Sequence, residues 1–497
     1  MRVLRLVFFI VFAFSIFFAS WYVLHEDLYF GADQARDFHI LREIDEKKII
    51  LIGPRASGDL FHGPGWPYLN YPLFVLGNGN PVAVGWGWVA LTAVSGGIAY
   101  YVGKKLFHIK VGYLFGTMTV LYTAFHAKGM INPHGVMLLL PLFFYFFVKY
   151  FQTSNQKFLA LNLIVGGIMI QMELMSVPLL ALSVGAMSFK IIKEKKLRHL
   201  TSLLLIFLFL TNFIAFDLRH DFLLTQRFFN FASPQGGPIH GYYDFFINRL
   251  DLAFQGTEIL RRNIGPANLL LFLATLGLIF FQIKKGKHRL IYLSFLYFYF
   301  GYYILSLINK GQVLYFHQFP LFPLVFLVFS SFITSKYSKL FLILFFVVLS
   351  FNLRSTYLDI KESESFIGND KYSWKFLNEA SQKVFQGPEK VLGYFVYAPD
   401  VLAYEPKYAM IYNAEKSGKD ALYFQKKAIT YLLIQPPPPN DPFMTENFWI
   451  TDQVGITSSP SAVINFLNGY KIQKHILTDE DINRSFDPAI DPGLHFR

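Results

Sequence analysis

Eleven apolar runs decide most of what this chain can fold into. They lie at about 3–24, 82–102, 111–126, 135–150, 158–174, 177–192, 200–216, 267–283, 290–308, 318–334 and 338–353. A helix needs roughly 17–25 apolar residues to cross about 30 Å of hydrocarbon, and lipid offers no partner to an unpaired backbone amide. The runs therefore define a polytopic α-helical membrane protein with about 11 transmembrane helices. The fifth and sixth can also be taken as one long run broken near Ser176 and Pro178. Residues 64–80, rich in Gly, Pro and aromatics, read as a re-entrant or interfacial piece. The first run is somewhat like a secretory signal. Its length, and the lack of a convincing small-residue cleavage site before Asp33, make it a retained first helix.

Only 16% of the 497 residues are charged, against about 25% in soluble domains. There is no Cys, which excludes disulfides, thiolate metal sites and a cysteine nucleophile. The net charge of +12 invites a nucleic-acid reading, but its distribution argues against one. Residues 1–353 carry 30 Lys/Arg and 15 Asp/Glu, whereas 354–497 carry 15 and 18. The excess belongs to the membrane part. Taking loops alternately, one side collects 18 basic residues and a single acid, Glu194. By the positive-inside rule that side is cytoplasmic. The N-terminus then lies inside, and an odd number of spans puts the C-terminal end outside a bacterial-type plasma membrane. The expected division is a membrane catalytic domain, 1–353, with outer loops 25–81 and 217–266, and an extracytoplasmic α/β domain, 354–497. In the latter, "SWKFLNEASQKVF" reads as an amphipathic helix, "KVLGYFVYA" and "AITYLLIQ" as strands, and "QPPPPNDP" as a stiff loop.

The first outer loop contains "GADQARDFHILREI", with Phe38, Leu41 and Ile44 about one turn apart. Asp33 and Asp37 are i and i+4 and share a helix face. By spacing alone, a helix-capping role for Asp33 is favoured over a catalytic one. This stretch, followed by "LIGPRASGDLFHGPGWPYL", resembles the first outer loop of the GT-C glycosyltransferases. The resemblance points to the dolichyl-phosphate-mannose-protein mannosyltransferase and aminoarabinose transferase family (glycosyltransferase family 39). It covers about 30–135 and rests on helix layout beyond. In that family an acidic pair follows the first helix, then Ala-Arg and an amphipathic surface helix. The first acid is catalytic, and Asp33 occupies its position. Gln34 stands where the second acid would be, which leaves metal dependence open, with a divalent cation neither required nor excluded. Gln34, Arg36, Asp37 and His62 fall within the same motif and become substrate-binding candidates.

Further candidates lie on other outer loops. "HAKGMINPHGVMLL" offers Lys128 and Asn132, where the family often has a basic residue and an acid. Asn132-Pro133 also reads simply as the opening of a helix, and that reading is slightly ahead. Glu173 lies at the outer end of the fifth run, either functional or a snorkelling or loop residue. Arg219, Arg227, Arg261 and Arg262 in the second long loop suit a phosphate, since Arg grips phosphate oxygens in pairs. Lys310, Tyr315 and His317 precede the tenth run. Trp66, Tyr68 and Tyr71 offer faces for sugar or lipid, although each alone is better read as packing. Asp479-Glu480-Asp481 is the only DxD and reads as a solvated acidic turn. There is no Walker A loop, HExxH, EF-hand or GxSxG.

The resemblance implies an inverting glycosyltransferase, a hexosyl or pentosyl transferase such as a mannosyltransferase of the cell envelope. It would move a sugar from a polyprenyl-phosphate donor to an acceptor hydroxyl on a protein, lipid or glycan at the outer membrane face. Asp33 would be the base, and Arg or Lys would stabilise the leaving phosphate. The alternatives are a transporter or flippase of lipid-linked saccharides, or a polymerase or ligase using them. Transport would call for polar residues within the spans and internal symmetry. Neither is evident in the sequence.

Overall fold

The computed structural model describes the chain except residues 57–59, 233–240, 256, 262–264, 287, 309–312, 401, 437–445, 492 and 494–497. It divides into two compact units, each built from separated stretches of chain. One comprises Met1–Ser20, Ile49–Asn70 and Gly87–Ile360, the other Trp21–Lys48, Tyr71–Trp86 and Lys361–Arg497.

Every one of the eleven apolar runs meets helix. Among the described residues, seven helices are long and apolar enough to cross a membrane: Arg2–Leu24, Pro81–Leu106, Asn132–Thr153, Leu174–Lys193, Gly265–Lys284, Tyr315–Thr334 and Ser338–Phe366. Leu197–Leu208 and Thr211–Arg219, bent by 51°, make an eighth if taken as one span. The run read at 200–216 as one span thus falls across two helices with a bend between them. Gln156–Met172 is shorter, and Ile109–His126 and Arg289–Ser306 carry enough Gly, Thr and Tyr to fall outside the set. By this measure the count of eleven is not reached. The chain is an integral membrane protein of the polytopic helical class, with a small C-terminal sheet domain. Residues 64–80 are mostly the helix Gly65–Leu76.

In the first unit aromatic rings fill the core and their hydroxyls find acceptors. Phe147 meets Phe298 edge-on at 4.7 Å. Tyr299 donates to the Ala253 carbonyl at 2.7 Å and Tyr302 to the His317 carbonyl at 2.9 Å. A ring that packs at one end and hydrogen-bonds at the other suits a low-dielectric core, which explains the tyrosine content. Buried Asn162 clasps two helices, donating to Phe143 O at 2.8 Å and accepting from Ser183 Oγ at 2.7 Å. Gly112 lets Ile109–His126 lie close to Pro81–Leu106, since a Cβ there would stand 2.6 Å from the Tyr100 carbonyl.

The second unit is built on a five-stranded mixed sheet: β1 Val391–Tyr397, β2 Asp420–Tyr423, β3 Ile429–Ile434, β4 Ala462–Asn465 and β5 Lys471–Ile476. Its order is β2-β1-β3-β5-β4, with β1 parallel to both β2 and β3, and β5 antiparallel to β3 and β4. β1 and β3 are buried almost throughout and read as apolar runs, as strands covered on both faces do. Gly393 in β1 is required by contact, because a Cβ there would meet the Gln425 carbonyl at 1.9 Å. The helix Tyr404–Ser417 joins β1 to β2 and also packs on the helix Ala32–Lys47. His39 donates from Nε2 to the Tyr404 carbonyl at 3.0 Å, and Arg42 pairs with Glu415 at 2.8 Å. Phe30 and Phe38 complete an aromatic cluster with Trp374 and Tyr408 at centroid distances of 5.1–5.5 Å. Burial lowers the His39 pKa to about 4, so the ring is neutral at physiological pH.

Candidate active site

The helix Ala32–Lys47 begins at Gly31, whose extended backbone caps it without a side-chain bond. Asp33 is thus one position inside the first turn. This corrects the capping reading: Asp33 is not the cap but sits where a carboxylate meets the positive end of the helix dipole. Gly31 leaves room for the Tyr29 ring, whose hydroxyl would lie 2.7 Å from a Cβ at that position.

The three charged residues of the motif form one group. Arg36 pairs with Asp33 at 2.9 Å and with Asp37 at 3.2 Å. The Asp33 side chain is 44% exposed, whereas Asp37 is buried. Burial works against the Arg36 charge, but Asp37 and Asp33 more than offset it and hold the guanidinium protonated. Its Nε is buried and meets no acceptor among the described residues. Gln34 is buried beside them.

A further carboxyl that sequence reasoning missed belongs to this group. Glu405, in the first turn of Tyr404–Ser417, is only 6% exposed. Burial raises its pKa to about 7, and the nearby Asp400 and Asp33 charges add to the effect, while its own amide and Lys371 oppose it. The only signal in the sequence was an acid just after a strand and loop, a position usually read as dipole stabilisation. The folded carboxyl holds its proton up to about pH 7, and the unfolded one releases it near 4.5. Between those values the unfolded chain binds fewer protons, so stability falls as pH rises from 4.5 to 7 and is level above. The loss is on the order of 3 kcal/mol. Glu405→Gln is therefore expected to melt several degrees above wild type at pH 8 and with it at pH 4, as differential scanning fluorimetry would show. Equal melting at both pH values would refute the assignment.

In the first unit the remaining candidates take different roles. Glu173 is 1% exposed, so it neither snorkels nor sits in a solvent loop. It ends Gln156–Met172 and accepts from the Met175 amide at 3.0 Å, capping the turn Leu174–Ser176. The break foreseen near Ser176 is this turn. His62 Nδ1 accepts from the Leu174 amide at 3.0 Å and lies 3.4 Å from Glu173. That bond requires Nδ1 to carry no proton, so Nδ1 offers Glu173 no hydrogen. Asn132-Pro133 opens the helix Asn132–Thr153, and Asn132 is buried. Lys128 is half-buried in the preceding turn. Arg219 ends Thr211–Arg219 and is exposed, while the Arg227 guanidinium lies 5.4 Å from the Phe61 ring centre. Arg261 is 2% exposed, bonded to Thr356 Oγ1 at 2.6 Å, paired with Asp359, and 3.4 Å from the Phe125 ring centre. His317 Nδ1 accepts from the Leu314 amide at 3.2 Å within its own turn. Trp66 is buried, so its ring serves packing. Tyr68 brackets Ile50 through both its amide and its carbonyl. In the second unit, Tyr71 donates to Asp45 at 2.9 Å. Lys310 and Arg262 lie outside the described residues. Asp481 corrects the solvated-turn reading. It is 1% exposed and accepts from the Thr457 amide and hydroxyl at 2.8 and 2.9 Å. Among the described residues no group of three or more His, Asp or Glu side chains could hold a metal ion.

The helical membrane part and the small sheet domain together have a fold of the GT-C type. Two crystal structures of ArnT from Cupriavidus metallidurans, an aminoarabinose transferase, share it. The one bound to undecaprenyl phosphate matches with a TM-score of 0.59 at 10% identity, over 96% of this chain and 99% of that one. The apo structure matches with a TM-score of 0.58 at 9% identity, over 94% and 97%. No family model and no curated protein matches the sequence.

Proposed function

We propose that the chain is an inverting glycosyltransferase that moves a hexose or pentose from a polyprenyl-phosphate donor to an acceptor hydroxyl at the outer face of the membrane. One observation carries the reading: a part-exposed Asp33 pairs at 2.9 Å, three residues apart on one helix, with a half-buried, charged Arg36 whose Nε meets no acceptor among the described residues. Base and phosphate donor are the two groups that displacement of a lipid phosphate requires. The likeness to an ArnT structure bound to undecaprenyl phosphate supports the choice of donor.

Asp33 takes the proton of the acceptor hydroxyl as its oxygen attacks the anomeric carbon. The bond from that carbon to the phosphate oxygen breaks, and its electron pair leaves with the lipid phosphate. Arg36 Nε–H donates to an oxygen of that phosphate as negative charge grows on it. A single displacement inverts the anomeric centre.

The test is transfer by the purified, lipid-reconstituted protein, offered a panel of polyprenyl-phosphate sugars with mixed protein, lipid and glycan acceptors. Turnover of one donor with inverted product identifies the sugar. Donor binding without turnover across the panel would overturn the transferase reading and favour transport.

A further inference from the structure

The second unit brings the first-loop helix and the C-terminal sheet together at one end of that sheet. The chain leaves the C-terminal end of β1 through 398–403 into the helix that leads to β2, on one side. It leaves β3, the neighbour on the other side, toward β4 at the far edge. Where the connections of adjacent parallel strands run to opposite sides of a sheet, α/β folds bind ligands in a crevice outside the C-terminal ends of those strands. Asp400 lies in the first of these loops and Glu405 just beyond it.

The surroundings are polar and aromatic. Residues 28–30 run beside 372–374: Phe30 N donates to Tyr372 O at 2.7 Å and Trp374 N to Leu28 O at 2.9 Å. This pairing sets the Tyr29 and Tyr372 rings 5.9 Å apart at 52°. Tyr29 is 40% exposed and Tyr372 half-buried. The Tyr29 hydroxyl is raised in pKa by burial and then by Tyr372, Glu405, Asp370 and Asp33, so these groups share one neighbourhood. Glu405 forms the floor. It is more than nine-tenths buried, and its carboxyl bonds only its own amide among the described residues. Asp400 and Asp33 reach solvent at the rim, and Lys371 is close enough to act on Glu405.

We propose that this crevice, with Glu405 as its floor and Tyr29, Tyr372, Asp400 and Asp33 as its walls, is the acceptor subsite, and that the acceptor is a saccharide. The proposal rests on the transferase reading above and names the substrate class that Asp33 deprotonates. A neutral carboxyl both donates and accepts, as a sugar hydroxyl does, and the two exposed carboxylates accept from further hydroxyls. Two inclined tyrosine rings suit the C–H face of a pyranose. A cationic acceptor meets Lys371 and Arg36 at the same place.

The experiment is saturation-transfer NMR on the full chain in nanodiscs. The probes are the methyl glycosides of glucose, galactose, mannose and N-acetylglucosamine, with a Ser/Thr-containing peptide beside them. At least one glycoside is expected to receive saturation, and its affinity to fall about tenfold in Glu405→Leu and in Tyr372→Ala, the loss of one or two hydrogen bonds or a stacking face. Melting curves of both variants check that they fold. Absence of any glycoside signal in wild type, equal signals in folded variants, or binding of the peptide alone would each overturn the proposal. Undecaprenyl phosphate binding, measured on the same samples, separates the two readings. Its absence with glycoside binding intact sinks the lipid donor and leaves the saccharide site standing.

Discussion

Asp33→Asn is expected to remove sugar transfer, by roughly 10²–10⁴-fold in kcat, while the protein still folds and binds its donor. The asparagine has the same shape, and its carbonyl oxygen still accepts from Arg36, so the turn keeps its geometry. Only the negative charge is lost. The stability cost is small, because the Asp33–Arg36 pair is partly exposed and such pairs contribute about 0–1 kcal/mol. The dipole interaction in the first turn adds about 0.3–1 kcal/mol. The measurement is single-turnover transfer in reconstituted membranes, beside a melting curve and donor binding. Full activity in the variant would eliminate Asp33 as the base. Loss of donor binding together with transfer would instead assign it to holding Arg36.

The second large effect is on stability and belongs to Arg261. Sequence reading set it among four arginines suited to a phosphate. In the fold its guanidinium is committed to Asp359 and Thr356 and covered by Phe125, and its amide donates to Asn352 Oδ1 at 2.9 Å. Arg261→Met strands the largely buried Asp359 carboxylate, and breaking a buried pair by removing one partner costs about 3–5 kcal/mol. A fall in melting temperature well beyond that of the Asp33 variant is therefore expected. Adding Asp359→Leu should restore much of it, since an apolar pair of similar volume is often neutral or better. An unchanged melting temperature with weakened donor binding would return Arg261 to the phosphate.

Much of the membrane part was legible because hydropathy over a span-length window reports directly on helix in lipid. Less legible was whether each apolar run is one straight element. Residues 203–216 are apolar apart from Thr211 and Asn212, and a single polar pair within such a run does not by itself show that the chain bends there, between Leu208 and Thr211. Asp33 was found through its motif, but the helix start was misplaced by two residues, since glycine also caps helices and Gly31 does so here. Arg261 and Glu173 show the opposite limit. Charge type and loop position made the one a phosphate candidate and left the other even between function and a snorkelling or loop place, and neither cue showed that both side chains are buried. Glu405 carried no motif. Its character comes first from burial and then from two carboxylates, the neighbouring Asp400 and Asp33 from a segment far away in sequence.

The second unit is assembled from three stretches of chain, and this orders events during synthesis. The helix Ala32–Lys47 emerges from the ribosome early, yet Tyr408 and Trp374, which cover Phe38 and Phe30, follow only after the whole hydrophobic stretch. Until then its apolar face has no lasting cover, and a chain stalled or cut before that point exposes it to proteases. The residue proposed to do the chemistry is thus locked into place last, so completeness of the chain is itself a precondition of activity.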